Sequence, residues 1–227
     1  MAAGEGTRLR PLTERWAKPV LPIDGRAVLS MLLGELAEAG CERVWLVTGY
    51  LAEQVEALAG DGSAWGVEVR FVRQPGVLGS ADAVQRALDA GAAPPVVVSA
   101  ADTLFSRGDV GRFVEEFAGS GAAGALAIRT EPPPSSHRHA VRRRDRWIER
   151  LDDTDPANPW SAAPLWGLGG VVARWLCCDR PPYELGNAYR AAIDSGDRVI
   201  AIEIGKTRDL TYPLDLVEEN FPYLKAL

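Results

Sequence analysis

Paired cysteines, long apolar runs, net positive charge and lysine are all scarce or missing in this chain, and each shortage closes a class of function. Three cysteines occur in 227 residues, Cys41, Cys177 and Cys178. An odd number with two of them adjacent suits neither a disulfide framework nor a zinc site, so reduced, packed thiols are expected. No apolar run approaches the roughly 18 residues that cross a bilayer, and no basic-then-apolar leader opens the chain. A cytoplasmic protein without membrane contact is the expectation. The 25 basic and 31 acidic residues leave a formal charge of −6, which argues against broad nucleic-acid binding. An anionic substrate would have to be drawn by a local basic patch.

Lysine is the sharpest shortage. Only Lys18, Lys206 and Lys225 stand against a background of arginine. Lys18 resists that bias, and its compact ammonium on a flexible stem suits a phosphate whose charge shifts during reaction better than a planar guanidinium does.

Lys18 also lies close to Gly4-Glu5-Gly6-Thr7-Arg8-Leu9-Arg10-Pro11-Leu12-Thr13. Gly4 and Gly6 leave no side chain between main-chain N–H groups and an anion, so this loop can wrap phosphate oxygens. Arg8 and Lys18 supply charge at its ends. Two glycines alone would equally serve an ordinary tight turn.

The rest of the chain alternates short apolar runs with amphipathic stretches. Helices are predicted over 28–36, 52–58, 80–90, 110–117, 184–193 and 214–219. Strands are predicted over 44–48, 67–72, 95–99, 124–128, 167–172 and 199–204. Loops are expected at Pro132-Pro133-Pro134-Ser135-Ser136 and over 152–164. The run Arg142-Arg143-Arg144 reads as the solvated basic turn of a hairpin joining 140–141 to 147–151. This β-α-β order predicts one α/β domain over 1–227, a Rossmann-like, mostly parallel sheet with helices on both faces. Ligands of such sheets gather beyond the carboxyl ends of the strands.

Three further segments sit just after predicted strands or before helices. Gln74-Pro75-Gly76-Val77-Leu78-Gly79-Ser80 offers an amide that can donate and accept and a glycine that lets a ligand approach the backbone, although Ser80 and Gly79 would also serve as a helix cap and a turn. Asp102 ends an otherwise apolar run and suits a Mg²⁺ ligand, or a plain turn. Asp215 fits the first turn of the last helix. Phe221, Pro222, Tyr223 and Leu224 read as an apolar tail that docks on the chain or joins a homo-oligomer contact.

Ala2-Ala3-Gly4-Glu5-Gly6-Thr7-Arg8-Leu9-Arg10-Pro11-Leu12-Thr13 followed by Lys18-Pro19-Val20-Leu21-Pro22 resembles the signature of the sugar-1-phosphate nucleotidyltransferases. The resemblance implies a reaction in which a sugar 1-phosphate attacks the α-phosphorus of a nucleoside triphosphate, with Mg²⁺, giving a nucleotide sugar and pyrophosphate. It implies a nucleotide-binding half over about 1–130 and a sugar-phosphate half over about 131–227. By it Arg8 binds the outer phosphates and Lys18 the α-phosphate. Ala2, Ala3, Gly4, Gly6, Thr7, Gln74, Gly79 and Ser80 hold the nucleotide. Asp102 and Asp209, the latter within Thr207-Arg208-Asp209-Leu210-Thr211-Tyr212-Pro213, hold the metal.

Two departures accompany the match. Most relatives carry Glu-Lys-Pro where this chain reads Leu151-Asp152-Asp153-Thr154, so the lysine for the sugar phosphate is missing. Asp152 with Gly167 or Gly169 is the candidate sugar contact, and a cytidylyltransferase for a small alcohol phosphate or a non-catalytic nucleotide-sensing subunit stand as alternatives. Relatives also place a buried strand ahead of Ala2-Ala3-Gly4, where this chain has Met1. A shortened central strand is expected, explained by an upstream start rather than a redesigned sheet.

Overall fold

Val28, Leu29, Leu32, Leu33 and Leu36 recur at helical spacing, and all five are buried along one helix that ends before Gly40 at φ 82°. The computed structural model describes residues 1–132, 139–177 and 180–221. Pro133 to Ser136 of the expected loop, Cys178, and Pro222, Tyr223 and Leu224 of the expected tail lie outside the described residues.

In chain order the elements are β1 (Pro22–Ile23), β2 (Arg26–Ala27), α1 (Val28–Glu38), β3 (Arg43–Thr48), α2 (Ala52–Ala59), β4 (Glu68–Arg73), α3 (Ser80–Asp89) and β5 (Val96–Ser99). There follow β6 (Thr103–Leu104), α4 (Asp109–Ser120), β7 (Gly124–Arg129), β8 (Val141–Arg144), β9 (Trp147–Leu151) and β10 (Ser161–Leu168). The last are α5 (Gly170–Ala173), α6 (Leu185–Asp194), β11 (Val199–Glu203), β12 (Arg208–Asp209) and α7 (Pro213–Asn220).

The main sheet has six strands in the order β5-β10-β7-β11-β9-β8, and within it only β7 and β11 run parallel. The α/β class stands, but the sheet is mixed and mostly antiparallel instead of Rossmann-like and mostly parallel. The cause is β10. The stretch expected as a loop supplies a strand from Ser161, which returns antiparallel between β5 and β7, and the residues after Gly169 turn into α5. Ser161, Ala163 and Leu165 alternate inward on β10, but small side chains beside Asn158 and Pro159 give little apolar signal. The β8–β9 hairpin adds a further antiparallel pair at the edge.

Helices cover both faces, because alternation along β7 sends successive side chains to opposite layers. Leu126 and Ile128 pack with Val84, Leu185 and Tyr189 of α3 and α6. Ala125 and Ala127 pack with Leu36, Phe113 and Phe117 of α1 and α4. Strand β5, from before residue 130, pairs with β10, from after it, within this one sheet. Among the described residues no helix is long and apolar enough to cross a membrane.

Strands β3 and β4 pair in parallel but stand apart from the main sheet. What lies between β3 and β5 is Met1 to Ala3. Ala2 N donates to Val47 O at 2.7 Å, the Met1 amino group donates to Ser99 O at 2.8 Å, and Ala101 N donates to Met1 O at 2.9 Å. Alongside these residues a cavity of about 450 Å³ continues between the two strands, lined by Leu33, Leu46, Val84, Val96 and Val98. The β3–β4 pair therefore joins the sheet through very little backbone.

One half-buried acid is placed against its own charge. Burial, with Glu38 and Asp109 nearby, pushes the Glu35 carboxyl from the ordinary value near 4.5 to about 7, and its Oε2 has no hydrogen-bond partner. The folded state thus binds the proton more tightly than the unfolded state between those values. Stability rises as pH falls through that window, and the full penalty applies above pH 7. Glu35→Gln should raise Tm at pH 8 by about 2–4 °C, which corresponds to roughly 1 kcal/mol after solvent screening is allowed for, and change it little at pH 5. Thermal melts at the two pH values check this, and equal shifts at both would contradict it.

Candidate active site

The first loop is built to hold its shape. Gly6 takes φ 62°, Thr13 Oγ1 donates to Gly6 O at 2.9 Å, and a Cβ on Gly6 would lie 3.0 Å from the Thr13 methyl. Thr7–Leu9 then makes one 3₁₀ turn anchored by fully buried Leu9. A second turn, Lys18–Val20, is fastened to α2, where Gln54 Oε1 accepts from Ala17 N at 2.8 Å and Gln54 Nε2 donates to Arg15 O at 2.7 Å. These ties bring Lys18 to the end of β5. Its Nζ lies 2.5 Å from Asp102 Oδ2, with the two side chains 19% and 26% exposed.

Ala2, Gly4, Gly6, Thr7, Arg8, Lys18 and Asp102 line one cleft of about 360 Å³. Thr211, which sequence reasoning did not single out, lines it too. Asp209 arrives from the far end of the chain. Strand β12 pairs antiparallel with β6, setting Asp209 opposite Thr103, the neighbour of Asp102. Arg208 fixes that strand through Asp24 and Glu219, both at 2.5 Å. Asp215 Oδ2 accepts from Thr211 N at 2.7 Å and Tyr212 N at 2.8 Å, capping α7. Burial pushes the Asp209 carboxyl up, with Lys18 opposing the shift and Asp102 adding to it. Its Oδ1 is buried without a hydrogen-bond partner.

The other sequence-chosen residues do not line this cleft. Gln74 is buried, and its Nε2 donates to Gly79 O at 3.0 Å and Asp82 Oδ2 at 2.8 Å. Gly79 takes φ 98°, and a Cβ there would lie 2.3 Å from Tyr183 O. Ser80 Oγ donates to Glu184 Oε2 and accepts from Leu185 N, both at 2.7 Å. This loop is thereby stitched to the start of α6.

Asp152 lies on a separate hollow with Arg150, Leu151 and Arg190. It is ion-paired with Arg190 and lies 3.1 Å from His139 Nδ1. Gly167 and Gly169 sit at the opposite end of β7 from Arg129: Gly167 pairs with Ala125, and Gly169 N donates to Ala123 O. A Cβ on Gly167 would strike the Phe117 ring at 2.5 Å, and one on Gly169 would strike Ala123 O at 2.3 Å. Packing accounts for both glycines there.

Arg129 was missed by sequence reasoning. It ends β7, is only 3% exposed, and feels the charge of Asp209.

The chain's first 141 residues match the family model described as nucleotidyl transferase. The chain belongs to that family.

Among curated members, a glucose-1-phosphate thymidylyltransferase of Streptomyces griseus is 29% identical over 97% of this chain. The low-salt glycan biosynthesis nucleotidyltransferase of Haloferax volcanii is 30% identical over the same share. The chain spans 64% of the length of each. Two solved structures share the fold. A UDP-glucose pyrophosphorylase complexed with UDP-glucose superposes with TM-score 0.81 at 20% identity, covering 100% of this chain and 97% of that one. The inositol-1-phosphate CTP transferase of T. maritima superposes with TM-score 0.79 at 18% identity, covering 94% and 88%.

The cleft gathers main-chain groups of a glycine loop, two cations and the Asp102 carboxylate, and Asp209, outside its lining, is near enough to feel the charges of Lys18 and Asp102. Among the described residues no group of three or more His, Cys, Asp or Glu is placed to hold a metal. Asp102 and Asp209 supply hard oxygen donors, one of them an orphaned buried oxygen. That set fits Mg²⁺, an ion that commonly takes one or two carboxylates and fills its shell with water and substrate phosphates.

Proposed function

We propose that this nucleotidyl transferase joins a sugar 1-phosphate to the nucleoside monophosphate part of a nucleoside triphosphate, forming a nucleotide sugar and releasing pyrophosphate. The reading is carried by one observation: Lys18 and Asp102 touch at the floor of the glycine-loop cleft, with Asp209 brought beside them.

In this reading the loop from Gly4 to Thr7 cradles the triphosphate, and exposed Arg8 holds its outer phosphates. Lys18 faces the α-phosphate, where charge builds as an acceptor phosphate oxygen attacks in line and the bond to pyrophosphate breaks. Asp102 holds the Lys18 ammonium in place until substrate arrives. Gln74 and Gly79 serve the base, Ser80 supports that loop, and Asp152 is the proposed contact to the acceptor's hydroxyls. Mg²⁺ held by Asp102 and Asp209 would neutralise phosphate charge as it shifts to the leaving group.

A second reading has its own observation. No lysine stands in Leu151-Asp152-Asp153-Thr154, and Asp152 is engaged by Arg190, which leaves room for a small alcohol phosphate as acceptor in place of a sugar. A pyrophosphate-release screen of five nucleoside triphosphates against sugar and alcohol phosphates, with Mg²⁺, separates the two. Turnover with a sugar 1-phosphate is expected, and turnover only with an alcohol phosphate would select the second reading. Nucleotide binding by calorimetry with no turnover in any pair would point to a sensing subunit.

A further inference from the structure

Arg129 closes the strand that runs toward the cleft, yet two of its three guanidinium nitrogens, Nε and Nη1, are buried without a hydrogen-bond partner. A buried guanidinium with unused N–H groups is costly to keep, and burial indeed pushes its proton affinity down. Its electrostatic counterpart is Asp209, and no ion pair within 4.0 Å joins the two among the described residues. Asp209 Oδ1 and Thr207 Oγ1 are likewise buried without hydrogen-bond partners. Arg129, and Thr207 two residues along the chain from Asp209, thus leave polar groups unused near Asp209, the proposed metal carboxylate, whose own Oδ1 is also unpartnered. That is the pattern of a site completed by a ligand, because a structural salt bridge would have used these groups on each other.

The sign and shape of the missing ligand follow from the donors. Arginine's planar array of N–H groups matches the paired oxygens of a phosphate and brings the charge that offsets it, which a sugar hydroxyl does not need. The triphosphate already has Arg8 and Lys18 in the first cleft. The segment matching the family's lysine, 151–154, contains no cation, and in the Asp152 hollow Arg190 is spent on Asp152. That leaves exposed Arg150 there and Arg129 near Asp209 as candidate cations, of which only Arg129 has buried, unpartnered N–H groups. We infer that Arg129 binds the phosphate of the acceptor, standing in for the lysine absent from Leu151-Asp152-Asp153-Thr154. This rests on the transfer reading above, because only an acceptor phosphate has reason to enter beside Asp209 while a triphosphate occupies the loop.

The test uses Arg129→Met and Arg129→Lys in the whole protein. Calorimetry with inorganic phosphate, in the presence of a non-hydrolysable triphosphate analogue and Mg²⁺, should show at least about tenfold weaker phosphate binding in R129M, as for loss of a charged bidentate donor. Triphosphate affinity should be unchanged, R129K should recover part of the loss, and added guanidinium ion should recover part of it in R129M. Once an active pair is known, KM for the acceptor should rise with KM for the triphosphate constant. The ligand-free Tm of R129M should hold or rise, because an unpaired buried charge is removed. Equal phosphate affinity in wild type and R129M, or loss of fold in both variants, would overturn the assignment. Phosphate binding is read without turnover, so an inactive wild type would sink the transfer reading alone.

Discussion

Lys18→Ala should lower kcat by about a hundredfold or more while changing triphosphate binding much less, the pattern for loss of a donor used in the transition state. The ammonium sits 2.5 Å from Asp102 Oδ2, on a turn fixed by Pro19 and by Gln54. Its position is therefore set before substrate enters, and its flexible stem lets the compact ammonium follow charge at the α-phosphate. Lys18→Arg should restore little, because a planar fork of larger span cannot occupy the same contact with Asp102. Steady-state kinetics paired with calorimetric titration of the triphosphate reads this directly. A Lys18→Ala enzyme with near wild-type kcat would make the residue a bystander.

Asp102→Asn and Asp209→Asn should each lower activity by about a hundredfold or more and raise the Mg²⁺ concentration needed for half-activity. The double variant should cost little more than the worse single one, because both side chains act through one ion. Stability separates the two. Asp209 carries a buried oxygen with no partner and a carboxyl whose pKa burial raises, so Asp209→Asn should leave Tm unchanged or higher. Asp102→Asn breaks the contact to Lys18 and should not stabilise. Independent, additive losses in the double variant would show that the two carboxylates do not share an ion.

How much of this was legible in sequence depends on how local each feature is. Helix α1 and strand β3 announce themselves through runs of leucine and valine, and the loop from Gly4 to Lys18 is nearly contiguous. Strand β10 is hidden because alanine and serine fill its inward positions against bulky neighbours such as Phe113 and Phe117. Arg142, Arg143 and Arg144 looked like a turn but lie in β8, and the turn falls at Asp145, φ 52°, and Arg146. Edge position permits this, with Arg143 stacked 4.2 Å over the Trp160 ring and bonded to Glu203 at 2.6 Å. Gly167 and Gly169 enter as alternative sugar contacts through the family resemblance alone, and a glycine carries no record of what fills the space above it, which over Gly167 is Phe117. Arg129 was invisible for a related reason. One more arginine in an arginine-rich chain says nothing until β12 is seen to bring Asp209 to it.

The most direct test of acceptor attack on the α-phosphorus is phosphorus NMR of a turnover mixture whose sugar 1-phosphate carries heavy oxygen in its phosphate. The expected result is a mixed diester of pyrophosphate holding all the label, including the bridging oxygen, with unlabelled pyrophosphate released. Label in the released pyrophosphate, or pyrophosphate formed without an acceptor, would contradict it.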